Sequence, residues 1–208
     1  MMLRPILFAF IGICLLGSAI VFEAASATSL AIDAAAKARD SESAVVRERL
    51  LVRGQTLITE SWVRPVLWHA GAAEALSGIY FLRAQETNDA ALFQQSVASA
   101  SQAIRLGPVQ PHAWTRLALL AEAGHPNAVC DVDVCLAQSW ATARMIDPET
   151  ACARLQLAHR RGQLRADDSR IDDYLRSGVS RRAASACLSF LPGDQLFDAL
   201  ARNARPRR

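Results

Sequence analysis

HAGAAEALSGIYFLRAQETNDAALFQQSVASASQAIRLGP (residues 69–108) and PHAWTRLALLAEAGHPNAVCDVDVCLAQSWATARMIDP (residues 111–148) decide the fold. Each stretch holds two segments with apolar residues at helical spacing, and each ends on a proline. Ala103-x4-Pro108 closes the first, and the same spacing returns 40 residues later as Ala143-x4-Pro148. The leading segments are HAGAAEALSGIYFLRAQ (69–85) and HAWTRLALLAEA (112–123). No part of the 208-residue chain alternates apolar and polar residues long enough for a strand, and aromatic residues make up only 6% of it. The expected fold is all-α, with a core large enough to form without relying on metal or disulfides.

The pattern resembles the tetratricopeptide repeat family, whose units carry Trp-x2-Leu-Gly-x2-Tyr in the first helix, with Ala-x3-Phe and then Ala-x4-Pro around the second. In residues 69–108 the slots hold Ala73, Leu76, Ser77 and Tyr80, then Ser96, Ala100, Ala103 and Pro108. In residues 111–148 they hold Trp114, Leu117, Ala118 and Ala121, then Leu136, Trp140, Ala143 and Pro148. Small residues (Ser77, Ala118, Ala103, Ala143) let helices approach closely, large ones (Tyr80, Trp140) fill the gap between hairpins, and proline ends each second helix. The resemblance covers about residues 66–150. Its period is 40 rather than the family's 34, with the surplus near 84–91 and 124–134. A third unit is signalled from Glu149 (ETACARLQLAHRRG), but its second helix does not match. The resemblance implies stacked antiparallel helical hairpins and a concave face that binds protein segments.

Working outward toward the N-terminus, Pro5 to Phe22 is an unbroken apolar run of 18 residues, preceded by Arg4 and followed by Glu23. At 1.5 Å per residue it spans about 27 Å, close to the hydrocarbon thickness of a bilayer. Residues 1–23 therefore read as a transmembrane anchor. Ala25-Ser26-Ala27 also fits a signal-peptide cleavage site, so a secreted or periplasmic product after cleavage is the alternative. The length of the run and the position of Glu23 favour the anchor. Positive charge before the run and acidic residues after it place the N-terminus in the cytoplasm and the main domain outside. Residues 24–44 are small and polar and read as a stalk. Residues 45–60 are amphipathic through Val45, Val46, Leu50, Leu51, Leu57 and Ile58, with Gly54 as an interruption. Pro65 marks a helix boundary. The set Trp62, Trp68, Tyr80, Trp114 and Trp140 reads mostly as core, with exposed binding residues as the alternative for Trp62 and Trp68 beside that corner. The helical-repeat domain is expected to run over 45–202.

Beyond residue 150 short helices continue, with Asp167 or Asp168, Ser180 and Asp194 as candidate caps. Residues 1–150 carry 11 basic and 14 acidic side chains, whereas 151–208 carry 12 and 6. The basic excess ends in a tail at 203–208, which reads as a solvated terminus, and no nucleic-acid partner is expected. Of 23 basic residues one is lysine, Lys37, which follows Ala36 rather than glycine, so no phosphate-binding Gly-Lys-Ser/Thr loop exists.

Five cysteines remain. Cys14 lies in the apolar run. Cys130, Cys135, Cys152 and Cys187 form an even set suited to an oxidising compartment, with Cys130–Cys135 and Cys152–Cys187 as candidate disulfides and free, buried thiols as the alternative. The set His125, Cys130, Asp131, Asp133 and Cys135 has plausible zinc ligand types, but its spacing fits no usual zinc site. His69 and His112 start predicted helices and read as structural. No catalytic residue, metal ligand or cofactor is expected. The leading expectation is a membrane-anchored, extracytoplasmic scaffold or accessory subunit of the bacterial cell envelope, working through protein partners. By analogy of layout alone it belongs to exopolysaccharide or cell-surface polysaccharide assembly. The alternative is a thiol- or metal-dependent periplasmic enzyme centred on Cys130 and Cys135.

Overall fold

The computed structural model describes residues 3–125, 129–144, 146–165 and 167–204, the side chains of 3–9 and 202–204 excepted. Arg205, Arg207 and Arg208 of the expected basic tail lie outside the described residues. Among the described residues the chain is all-α, with ten α-helices, one 3-10 turn and no strand.

Helix α1 (Leu3–Asp40) is continuous through the apolar run and the expected stalk. It is the one helix among the described residues long and apolar enough to cross a membrane. From Phe10 to residue 19 every side chain is exposed. From Ala24 onward one face is covered: Ala24, Ala27, Ala31, Ala34 and Ala38 are buried. Their 3, 4, 3, 4 spacing keeps them on one seam of the helix. The stalk expected over 24–44 is thus corrected, because half of it is a packed wall of the domain.

The partner across that seam is α2 (Ala44–Thr59), capped by Ser43. Gly54 does not interrupt α2. It is buried, and a Cβ there would lie 3.2 Å from the Ala31 carbonyl oxygen and 3.0 Å from Ile79 Cδ1. The missing side chain is what lets α1 and α2 touch. Val45 and Val46 of the predicted stripe are exposed, while Leu51 and Ile58 are buried.

A 3-10 turn (Pro65–Leu67) leads to α3 (Ala70–Thr87), whose N-cap His69 accepts a hydrogen bond from the Ala72 amide at 3.1 Å. Asn88 reverses the chain in the left-handed region, and Asp89 caps α4 (Ala90–Leu106). Then follow α5 (Pro111–Glu122), α6 (Val132–Thr142) capped by Asp131, and α7 (Pro148–Arg160) capped by Asp147. Helices α8 (Ser169–Arg176), α9 (Arg181–Cys187) and α10 (Gly193–Ala204) complete the chain, with Asp168 and Ser180 capping the first two.

Each of α1, α3 and α5 packs most heavily on the helix that follows it. Helices α2 and α4 also lie against the next odd-numbered helix, and α1, α3, α5 and α7 touch in series. Three apolar clusters result: one among α1–α4 around Leu51, Ile58 and Ile79, one among α3–α7 around Leu117, Leu136 and Leu157, and one uniting α7–α10 around Leu155, Ile171 and Leu188.

The two C-terminal repeat slots of residues 111–148 differ from expectation. Ala103 is buried inside α4, but α6 stops at Thr142 and leaves Ala143 extended (φ −155°, ψ 116°) and half-buried. Pro148 does not end a helix. It is the first residue of α7, where a missing N–H costs nothing.

Candidate functional site

The odd-numbered helices bound a groove made of two adjoining cavities, of about 210 and 140 Å³. Arg39 of α1, Gly78 of α3, and His112 and Arg116 of α5 line both. Glu149 and Thr150 at the start of α7 close one end. The α3 wall is low because Gly71 and Gly78 stand two turns apart on it. A Cβ at Gly78 would sit 2.9 Å from Arg116 Nη2, so the guanidinium lies directly on the helix backbone.

Side chains across the groove hold one another in place. Glu74 Oε1 accepts a hydrogen bond from the Ala113 amide at 3.0 Å, satisfying one free donor at the start of α5. Arg116 donates to the Glu74 carbonyl at 3.2 Å. Arg39 and Glu149 pair at 3.5 Å between α1 and α7. Burial brings the Arg116 pKa down to about 10, with Glu74 opposing the shift, and leaves the group cationic at neutral pH. Burial also lowers the His112 pKa, opposed by Glu74 and Asp147.

His112 Nδ1 lies 3.1 Å from Thr150 Oγ1 and 3.3 Å from Asp147 Oδ2. Both contacts use the same ring nitrogen. A hydroxyl nucleophile needs base and orienting carboxylate on opposite nitrogens, so this trio does not have that geometry. The groove offers cationic donors, carboxylates and a low backbone wall.

Beneath it lies Arg154 of α7, fully buried. It donates to Thr115 Oγ1 at 3.1 Å and to the Ser139 and Ala143 carbonyls at 2.8 Å each. Its guanidinium sits 4.8 Å from the centroid of the Trp140 ring, and that of Arg170 sits 5.5 Å away. Burial lowers the Arg154 pKa to about 10, with Asp147 opposing.

Among the expected packing residues Leu76, Ser77, Tyr80, Ala103, Leu117 and Ala118 are buried. Trp114 and Trp140 are half-buried, and Trp140 bridges the second and third clusters. Pro108 is exposed and accepts the Trp114 indole N–H at 2.9 Å.

The sulfurs of Cys130 and Cys135 pair at the entrance to α6, with Cα atoms 5.8 Å apart. Those of Cys152 and Cys187 tie α7 to α9, with Cα atoms 5.7 Å apart. Both separations suit disulfides. Two such pairs suggest an oxidising, extracytoplasmic compartment. The other members of the zinc-like set are committed elsewhere: His125 lies against the Phe93 ring at 4.3 Å, Asp131 caps α6, and Asp133 pairs with Arg161 at 3.0 Å. Among the described residues no three His, Cys, Asp or Glu converge as a metal site.

Arg39, Glu74, Arg116 and Arg154 were not singled out by the sequence. A signal did exist: Arg116-Leu117-Ala118-Leu119 recurs 38 residues on as Arg154-Leu155-Gln156-Leu157. No protein-family model, curated protein or solved structure matches the chain.

Proposed function

We propose that the protein is a membrane-anchored, extracytoplasmic helical scaffold, built as tetratricopeptide-like stacked hairpins, that holds a segment of a partner protein in the groove between α1, α3, α5 and α7. Within that class it serves as an accessory subunit of the bacterial cell envelope, in the assembly of exopolysaccharide or another surface polysaccharide. One observation carries the reading. The helix that is apolar and uncovered over its first half contributes Ile32, Ala36 and Arg39 to the groove over its second half. Anchor and binding wall are one rigid element, as expected of a scaffold that presents a partner at a fixed height above the bilayer.

A photo-reactive residue at Ala36 tests this in the native membrane. A discrete adduct that disappears with Arg116→Glu, and that is absent with the probe at exposed Val134, is the expected outcome. Equal labelling from both positions overturns the reading. Topology is tested separately: a C-terminal alkaline-phosphatase fusion is expected to be active, and an active cytosolic reporter at that position defeats the placement.

A further inference from the structure

Segment 60–68, between α2 and α3, exposes Trp62 (66%), Leu67 (62%) and Trp68 (41%). Three large apolar side chains within seven residues form a patch that water solvates poorly. The segment is held firmly. Pro65 is buried, Arg64 adopts the left-handed region at φ 42°, and Trp68 Nε1 donates to the Val63 carbonyl at 3.1 Å. Its height along α1 is fixed as well, because Ser61 Oγ donates to Glu23 Oε1 at 3.3 Å. Glu23 is the first charged residue after the apolar run, and Val21 and Phe22 just before it are exposed.

Resting on the anchor reading above, we infer that segment 60–68 is a second membrane attachment, seating Trp62, Leu67 and Trp68 among the headgroups of the leaflet from which α1 emerges. Tryptophan prefers this layer because its ring is apolar and its N–H is polar. Exposed Arg64 stands where lipid phosphates lie. The apolar run spans about 27 Å against a hydrocarbon layer of about 30 Å, and interfacial aromatic anchors are one way a short span is accommodated. A phospholipid surface is favoured over a protein partner because Ser61, beside Trp62, is bonded to Glu23, the residue that follows exposed Val21 and Phe22 on the helix that enters the bilayer. Two attachments hold the domain at one angle to the membrane, which α1 alone does not.

The full-length chain in phosphatidylcholine vesicles, with and without bromine on the acyl carbons nearest the headgroup, provides the test. Two of the four tryptophans lie in the segment, so brominated lipid is expected to quench about half of the emission. In Trp62→Ser/Trp68→Ser the remaining emission, from Trp114 and Trp140, is expected to be insensitive to bromine while flotation and helical circular dichroism are unchanged. Each single Ser variant is expected to lose part of the quenching, which keeps the test open should the double variant fold poorly. If the wild-type chain floats with vesicles but shows no quenching, the second attachment is wrong and the anchor stands. If the chain does not float, both fall.

Discussion

In the α3–α4 hairpin the two helices meet through Ser77 and Ser96, each hydroxyl donating to the other residue's carbonyl at 2.9 Å. In the α5–α6 hairpin Thr115 and Ser139 meet instead, their hydroxyl oxygens 2.6 Å apart. The first pair is self-contained and the second is not. Helix α4 has 17 residues and α6 only 11, so α6 ends three residues after Ser139, whose carbonyl accepts the Ala143 amide at 3.3 Å and the Thr142 hydroxyl at 3.1 Å. Arg154 reaches from α7 to add donors to the Ser139 and Ala143 carbonyls, at 2.8 Å each. Where a hairpin is long, small residues and hydroxyls close it. Where it is short, a buried cation from the next helix and a disulfide at its entrance do the same work.

Removing that cation is the largest way to break the comparison. Arg154→Ala deletes three hydrogen bonds, empties a fully buried site and strips the cation from the Trp140 face. A loss of about 3–4 kcal/mol in unfolding free energy is expected. Arg154→Met, which restores bulk without donors, is expected to lose nearly as much. Arg116→Ala, which removes a guanidinium bonded to one carbonyl at the half-buried wall of the groove, is expected to lose about 1 kcal/mol. Denaturant titration of the detergent-solubilised chain gives all three. Equal losses at Arg154 and Arg116 mean that the short hairpin does not depend on α7.

The disulfide at its entrance comes next. Cys130→Ser/Cys135→Ser opens a very short loop, and about 2 kcal/mol is expected to go. Hydrogen exchange is expected to rise in α6 and to stay unchanged in α3 and α4. Exchange rising equally in both hairpins shows that they unfold as one unit, against the division of labour described here. In the self-contained hairpin, Ser77→Ala removes one hydroxyl, and Ser96 Oγ keeps its bond to the residue-77 carbonyl. A loss of about 1 kcal/mol is expected. A loss as large as that of Arg154→Ala refutes the contrast.

How much of this was legible in the sequence varies with the kind of signal. Helix starts were, at Asp168 and Ser180, because a capping side chain acts on amides two or three residues away. The all-α class was, through apolar spacing within single segments. The packing of α1 was missed although its signal was present. Ala24, Ala27, Ala31, Ala34 and Ala38 form a clear seam, but alanine reads as a helix former before it reads as core, and only Gly54 opposite turns the seam into a contact. The early end of α6 was missed because Ala143-x4-Pro148 copies the spacing of Ala103-x4-Pro108 while the backbone between them departs. Arg154 was missed because an arginine in an apolar segment looks like a solvated side chain until the carbonyls it serves, on another helix, come into view.

The smallest expected effect lies where the hairpins differ at their first histidines. His69 caps its own helix, whereas His112 reaches across to Thr150 and Asp147 of the next. Burial holds the His112 imidazole below its ordinary value, with Glu74 and Asp147 pulling it up and Arg116 and Arg154 pushing it down. The neutral ring is therefore the form the fold prefers. As pH drops below about 6.5 the unfolded chain takes a proton at this residue before the folded chain does, so stability falls. The loss grows until the pH passes the depressed folded value, below which both states are protonated. Above about 6.5 both states are neutral and the contribution is complete. Partial exposure keeps the effect small. His112→Gln is expected to show a weaker decline in urea midpoint between pH 7.5 and 5.5 than wild type, since the other titrating groups are common to both chains and cancel in the difference. An identical decline in the two proteins means that His112 is not held neutral and that the second hairpin gains nothing from reaching toward α7 at this point.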